Sequence, residues 1–599
     1  MGTVRRSVAV PFLAAALALA CTGAAATPRS ATPLPGHTVW LDQAWSEADR
    51  RWFYQVSQGS AVLSWDIYAN IETANGRDLF RSDANAIRFG LIPQRPDPKS
   101  NPDGLPIGVA KATIREGRWR GDWVGLTCAA CHTSVLHYRD TNVIIDGGGA
   151  HTFSSTLMTN ELDAALQAHL ADAGKFDRLA ARIGVDGERR ADLRRRLESQ
   201  AAVIHHYTTV SVLTSVVWGP GRSDALTGIH NQLQANLTGI PENWYPATAP
   251  AKPPFLWNAP QSDWVQWSGV VQDPIFRNVG ETTGVYAAFD LRSASPEDGL
   301  FDASTDILHL WQIETALQRL APPKWPERLF GRIDRAKAAQ GARLFEENCA
   351  GCHTSWPYKW TEPNRHGKRY IDNRIVKASY VGTDAHQLDD RLPYARTGAL
   401  ARWMPAPFTD NALVPEAVFT VGLVTQLIDK ATARLGLTQE ELDDLHGYQP
   451  YGREAQRPPP ELRGYKAGPR DGVWATAPFL HNGSVPNLYE MLLPAAQRSK
   501  TFRVGRGFDP HKVGIDTTEA DAFLFDTTLP GNSNAGHSFE DGPKGNGVIG
   551  RLLTDEERWA IVEYLKSIPD VDGRITPYGG PGSTPHAGGR GDWRTQGKY

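Results

Sequence analysis

Methionine is almost missing from this chain: there are four in 599 residues, and only Met158, Met404 and Met491 lie beyond the initiator. Thioether ligands are therefore scarce, which counts against an electron carrier whose iron sits between His and Met. Long apolar runs are missing too. The stretch Val8–Ala20 is the longest that stands out, and it is too short to cross a bilayer. Charge of one sign is not in excess. A net charge of −3 gives no reason to expect nucleic acid or an anionic surface as partner. Cysteine is sparse at five residues. With 41 % apolar and 22 % charged residues, the chain is neither disordered nor membrane-spanning, and it is long enough for two or more domains. Tryptophan, at 19, is abundant.

Four of the five cysteines fall in two copies of one pentapeptide, Cys128-Ala129-Ala130-Cys131-His132 and Cys349-Ala350-Gly351-Cys352-His353. Cys-x-x-Cys-His is the attachment pattern of c-type haem: two thiols add across the vinyl groups, and the adjoining imidazole becomes the proximal iron ligand. A zinc site would need further Cys or His at finger spacing, and a redox dithiol has no need of His at the same offset twice. The sequence therefore predicts two covalently bound haem c, with Cys128, Cys131, Cys349 and Cys352 as anchors and His132 and His353 on the irons.

Residues 1–26 read as an export signal, with Arg5 and Arg6 before the apolar stretch. Ala24-Ala25-Ala26 offers an ordinary cleavage site, and Ala18-Leu19-Ala20-Cys21 an imperfect lipoprotein box that would anchor the chain at Cys21. Either reading places the protein in the periplasm or outside the cell, with no membrane span. Beyond the leader, an N-terminal haem domain with insertions is expected over 38–325, a C-terminal one over 326–569, and a Gly- and Pro-rich flexible tail over 570–599. The fold class expected is mainly α: two cytochrome c-like haem domains with long loop-rich insertions.

Ser46 with Asp49, and Thr554 with Glu557, read as capping boxes. Residues 155–207 read as helices, including a basic run at Arg189, Arg190, Arg194, Arg195 and Arg196 taken as a solvated face. Residues 240–275, rich in Pro and Trp without periodicity, read as a long structured loop. Ala338, Gly341, Ala342 and Phe345 have the spacing of an apolar helix face running into Cys349. Trp559, Ile561, Val562, Leu565 and Ile568 mark an amphipathic partner near the end.

The segment Trp474-Ala475-Thr476-Ala477-Pro478-Phe479-Leu480-His481-Asn482-Gly483-Ser484 resembles the motif of di-haem cytochrome c peroxidases and their relatives. Three further blocks make the chain most similar to the longer branch that includes the di-haem rubber oxygenases: Trp40-Leu41-Asp42-Gln43-Ala44-Trp45-Ser46, Arg277-Asn278-Val279-Gly280-Glu281, and Gly531-Asn532-Ser533-Asn534-Ala535-Gly536-His537. The resemblance implies a haem-dependent oxidoreductase that activates O2 or hydrogen peroxide at the N-terminal haem. The C-terminal haem would serve in electron transfer, and the second partner would be an electron donor or an apolar organic substrate. It also implies His537 as second ligand of the C-terminal iron, with Met404 and Met491 as rivals, and His481 lining that haem's surroundings. For the N-terminal haem, neither His137 nor His151 has supporting context. Phe276 is the candidate apolar lid, Glu281 the candidate proton-transfer group, and Arg277 a charge stabiliser or the member of a structural ion pair. Trp474 near one haem, and Trp257, Trp264 and Trp267 near the other, are candidate electron relays. Calcium is a third candidate component, at the backbone of Ala467 and Pro469. The competing readings are a di-haem electron carrier and a haem-bearing partner that acts on another protein.

Overall fold

Helices begin where the sequence supplies caps. The computed structural model describes residues 34–568 apart from 212, 213, 215, 390 and 453–462, so the leader, Cys21 and the tail fall outside the described residues. Ser46 accepts the Asp49 N–H while the Asp49 carboxylate takes the Ser46 N–H, opening helix Glu47–Gln55. Thr554 and Glu557 do the same for helix Asp555–Ser567.

The first pentapeptide sits between two small sheets. Strand Gly121–Leu126, antiparallel to Val109–Ile114, delivers the chain to a four-residue helix, Cys128–Cys131. Strand Thr133–Tyr138 then leaves it and turns back antiparallel as Thr141–Asp146, which also pairs in parallel with His37–Trp40. The turn needs only two residues because Arg139 takes a left-handed φ of 55°. None of these strands was expected from the sequence. Over the described chain, helix is nonetheless the larger share, 38 % against 15 % strand.

Three helices follow, Ser155–Ala171, Ala173–Ile183 and Gly187–His206. Their basic run is less solvated than expected. Arg190 reaches Asp177, Arg194 holds Glu198 and the Leu170 carbonyl, and Arg196 holds Asp66 and Asp192. These helices pack on a core of their own that includes Leu63, Ile67, Phe80 and Phe153.

The second pentapeptide has a different setting. Helix Arg335–Asn348 runs straight into Cys349 and crosses Asp555–Ser567 at very short range. A Cβ on Gly341 would come within 1.9 Å of the Ala560 carbonyl oxygen, so only glycine permits the crossing. Ala338, Gly341, Leu344 and Phe345 face this contact, with Ala342 half-buried beside them. Residues 240–273 form a long loop with one 3-10 turn, Pro241–Asn243, and isolated bridges, and the last two residues of the expected loop already open helix Pro274–Gly284. The main hydrophobic core runs from Leu34 to Ile568 and draws on both sides of residue 326. Among the described residues no helix is long and apolar enough to cross a membrane.

Candidate haem sites

His132 ends the short helix with its Nδ1–H directed to the Pro254 carbonyl oxygen at 2.9 Å. That bond fixes the tautomer and leaves Nε2 with its lone pair for a metal. Burial holds the imidazole neutral, with its pKa brought down to about 4. His353 repeats the device, its Nδ1 facing the Gly468 carbonyl at 3.3 Å. The thiols are free, and burial pushes Cys131 and Cys349 up to about 12. A thiol–disulfide catalyst works through a lowered thiol pKa, and the shift of Cys131 and Cys349 runs the other way. Two unpaired thiols and one tautomer-locked imidazole at each pentapeptide fit covalent haem c.

The sites differ in what faces the proximal imidazole. Across from His353 stands His537, with ring centroids 6.2 Å apart and planes inclined by 47°. Two imidazole nitrogens each about 2 Å from one metal put their ring centres roughly 6 Å apart, so the pair is spaced for an atom between them. His537 Nδ1 is buried without a hydrogen-bond partner, and its backbone holds a left-handed φ of 42°. Such strain persists only where the surroundings impose it. Arg498 is what imposes it: buried, it donates to the carbonyls of Asn534 at 2.7 Å, Gly536 at 2.9 Å and His537 at 2.7 Å, and also to those of Glu490, Met491 and Leu493. Gly536 lies against Gly382, where any Cβ would strike backbone.

A cavity of about 200 Å³ between these imidazoles is lined by apolar groups, among them Phe345, Leu488 and Ile561, and by His481. Met491 borders the same cavity, whereas Met404 lines a separate one. His481 stacks on Tyr465 at 4.1 Å, placing it in the wall. Trp474 is wholly buried, donates to the Pro323 carbonyl and packs edge-on to Trp325. At the backbone proposed for calcium, the Gly468 carbonyl is taken by His353 and Arg470.

No imidazole ring stacks across from His132 among the described residues. His137 is tied to Asn142 and His151 to the Gly505 carbonyl, both as structural contacts. Nearby, helix Pro274–Gly284 brings Phe276, Arg277 and Glu281 to a cavity of about 430 Å³, whose walls include Leu226, Ile229, Val270 and Val424. Electrostatic coupling of Cys128 and Cys131 to Glu281, and of His132 to Arg277, puts these groups beside the first pentapeptide. Arg277 pairs with Glu314 of helix Ile307–Leu317, which also receives Asn278 at 2.8 Å. Glu281 stands 4.0 Å from Arg277 and accepts from Gln266 at 2.5 Å. Burial lifts the Glu281 carboxyl above its ordinary range, and Arg277 only partly offsets this. Sequence reading missed Glu314 and Arg498, because partners on distant elements leave no local pattern.

One loop touches both sites. Pro254 holds His132, Phe255 borders the second cavity and stacks on Trp257 at 4.7 Å, and Trp257 donates to the Asp471 carbonyl at 2.9 Å. Trp267 borders the second cavity while its neighbour Gln266 borders the first. Trp264 is half-buried at the foot of the same loop.

Residues 464–503, which carry the motif leading to the second cavity, match the family described as RoxA-like, cytochrome c-like. Protein y4iJ of Sinorhizobium fredii (strain NBRC 101917 / NGR234), an uncharacterized protein, is 33 % identical over 581 residues, covering 90 % of this chain and 94 % of its own length. Protein y4iM of the same organism, also uncharacterized, is 25 % identical over 360 residues, covering 57 % of this chain and 70 % of its own. The chain therefore belongs to the family of y4iJ, and its residues 464–503 form a RoxA-like, cytochrome c-like segment.

Proposed function

We propose that the protein is an exported di-haem c oxidoreductase of the di-haem peroxidase superfamily, on its rubber oxygenase-like branch. O2 or peroxide would be activated at the first site and electrons handled at the second. One observation carries this: His353 faces the ring of His537 at 6.2 Å between centroids, whereas no imidazole ring stacks on His132 among the described residues and the groups within electrostatic reach of its pentapeptide, Arg277 and Glu281, line a separate cavity with Phe276. A saturated site and an open one make a catalyst; two saturated sites make a carrier. Haem held by Cys128, Cys131 and His132 would supply a redox-active iron for the reaction with a small oxidant.

The chain's own groups then have distinct tasks. His132 and His353 are oriented by carbonyls at their Nδ1. Glu281, whose carboxyl burial raises above its ordinary range, would hold or accept a proton at the cavity edge. Arg277 is a positioning residue: locked to Glu314, it sets the charge that Glu281 feels. Phe276 and the apolar walls exclude water and favour an apolar organic substrate. Stacked Phe255 and Trp257 lie on the loop shared by both sites and would shorten electron transfer. The carboxyl of Glu281 favours a second reading, a peroxidase with an external electron donor.

A cyanide or CO titration of the purified holoprotein should saturate one of its two haems. Under air with polyisoprene, cleavage products are expected. Turnover of hydrogen peroxide with a donor instead would select the peroxidase. Two haems that bind no ligand in either redox state would reduce the protein to a carrier.

A further inference from the structure

The second cavity has two chemically different walls. Besides apolar side chains, its lining includes Lys252, Lys466 and Arg470, while among the described residues no aspartate or glutamate borders the cavity. The three cations lie within electrostatic reach of one another: Arg470 lowers the pKa of both Lys252 and Lys466. Lys252 is buried, donates to the Thr476 carbonyl and faces the rings of Trp267 and Phe479 at 5.8 and 5.7 Å. Arg470 donates from Nε to the Gly468 carbonyl at 3.0 Å, in the same strand of backbone that orients His353. Among the described residues none of the three forms an ion pair. The nearest acids are Asp263, already engaged by Asn373 and the Trp264 N–H, and Asp471. Burial brings Lys252 down to about 7, and it brings Lys466 to about 8 although Asp263 partly offsets it, because neither ammonium has a carboxylate in contact.

Three like charges gathered on one wall of an acid-free cavity are costly unless an anion joins them. We propose that Lys252, Lys466 and Arg470 are the anchor for the two carboxylates of the haem attached at Cys349 and Cys352, with the apolar wall covering the macrocycle. The proposal deepens the reading of that site and rests on it. It also orients the haem: with the thioethers at one edge, the carboxylate edge points to the wall formed by Lys252, Trp267 and Arg470. Lys252 and Trp267 belong to the loop 252–267 that also carries Pro254, the acceptor for His132, whereas Arg470 lies beside Gly468, the acceptor for His353.

The test uses the holoprotein and three neutral variants, K252M, K466M and R470M, beside the charge-preserving K252R and R470K. Covalent attachment is unaffected, so pyridine haemochrome should still return the wild-type haem count. Removing a cation leaves carboxylate charge uncompensated, which favours ferric iron. The midpoint potential of the low-spin haem should therefore fall in each neutral variant and return toward wild type in K252R and R470K. The carboxylate bending modes of that haem in resonance Raman spectra should shift in parallel. If R470M does not fold, the two lysine variants decide. Retained haem with unchanged potential and unchanged carboxylate modes in K252M and K466M would overturn this assignment alone. Loss of haem from Cys349 and Cys352 in the wild-type protein would overturn the reading of the site and this inference with it.

Discussion

His537 and Arg498 divide one task between an imidazole and the cage that aims it. Replacing His537 by Ala should convert one low-spin haem to a high-spin, cyanide-binding one with covalent attachment intact. Electron paramagnetic resonance reads this directly, and unchanged low-spin signals would point to Met491. Arg498→Met should give a mixture of the two spin states, and Arg498→Lys a smaller but still measurable one, because an ammonium keeps the charge yet cannot reach all six carbonyls. Glu281 makes a pH prediction. Its carboxyl titrates above the ordinary range, so activity that needs the carboxylate should rise as pH passes through that raised value. Glu281→Gln should remove this limb of the rate profile while leaving cyanide binding in place. His537 was suggested by the resemblance of its Gly- and Asn-rich turn to that of the rubber oxygenases, and the structure sets its ring opposite His353. Arg498 was not legible: its six acceptors are backbone carbonyls, identical for every residue type.

At the scale of elements, two contacts decide whether the sites are held. Helix Ala173–Ile183 turns Lys175, Arg178 and Arg182 onto buried Glu72, with Arg178 at 2.9 and 2.8 Å and Arg182 at 2.8 Å. Burial pushes this carboxyl up, but hydrogen bonds from Arg178 and Arg182 outweigh it and bring the pKa to about 2. The folded value lies below the unfolded one, so the stabilisation is full above about pH 4.5 and fades as pH falls toward 2. Glu72→Gln should cost roughly 3 kcal/mol at neutral pH and flatten the acid limb of a Tm–pH curve. Gly341→Ala tests the helix crossing. Alanine's better helix propensity, about 1 kcal/mol, is outweighed by the clash with Ala560, and a net loss of roughly 2 kcal/mol is expected by thermal denaturation. The crossing helices could be read from apolar spacing and a capping box. The Glu72 cluster could not, because its acid and bases lie about 100 residues apart.

For the whole molecule, the pyridine haemochrome assay should return two haems per chain, and Cys128→Ala with Cys131→Ala should remove one. The main core crosses residue 326, so Soret absorbance and far-ultraviolet circular dichroism should lose structure in one coincident thermal step. Two separated steps would mean that the halves fold alone. Individual helices such as Arg335–Asn348 and Asp555–Ser567 were legible from helical periodicity. The sheets around the first pentapeptide were not, although Thr133–Tyr138 and Thr141–Asp146 are rich in β-branched and aromatic residues. The presence of Cys-x-x-Cys-His invites a helix leading into the motif, and here strand Gly121–Leu126 takes that place.

The loop that carries Lys252, Pro254 and Trp257 has a consequence for how long the chain takes to mature. Its bonds span 122 residues to His132, 214 to Asp471 and 224 to Thr476. Contacts of such separation form late, after the entropy of closing large loops has been met. Porphyrins attached to a nascent chain would stay solvent-accessible through that interval, and the last step of maturation would be the closing of one loop over both of them at once.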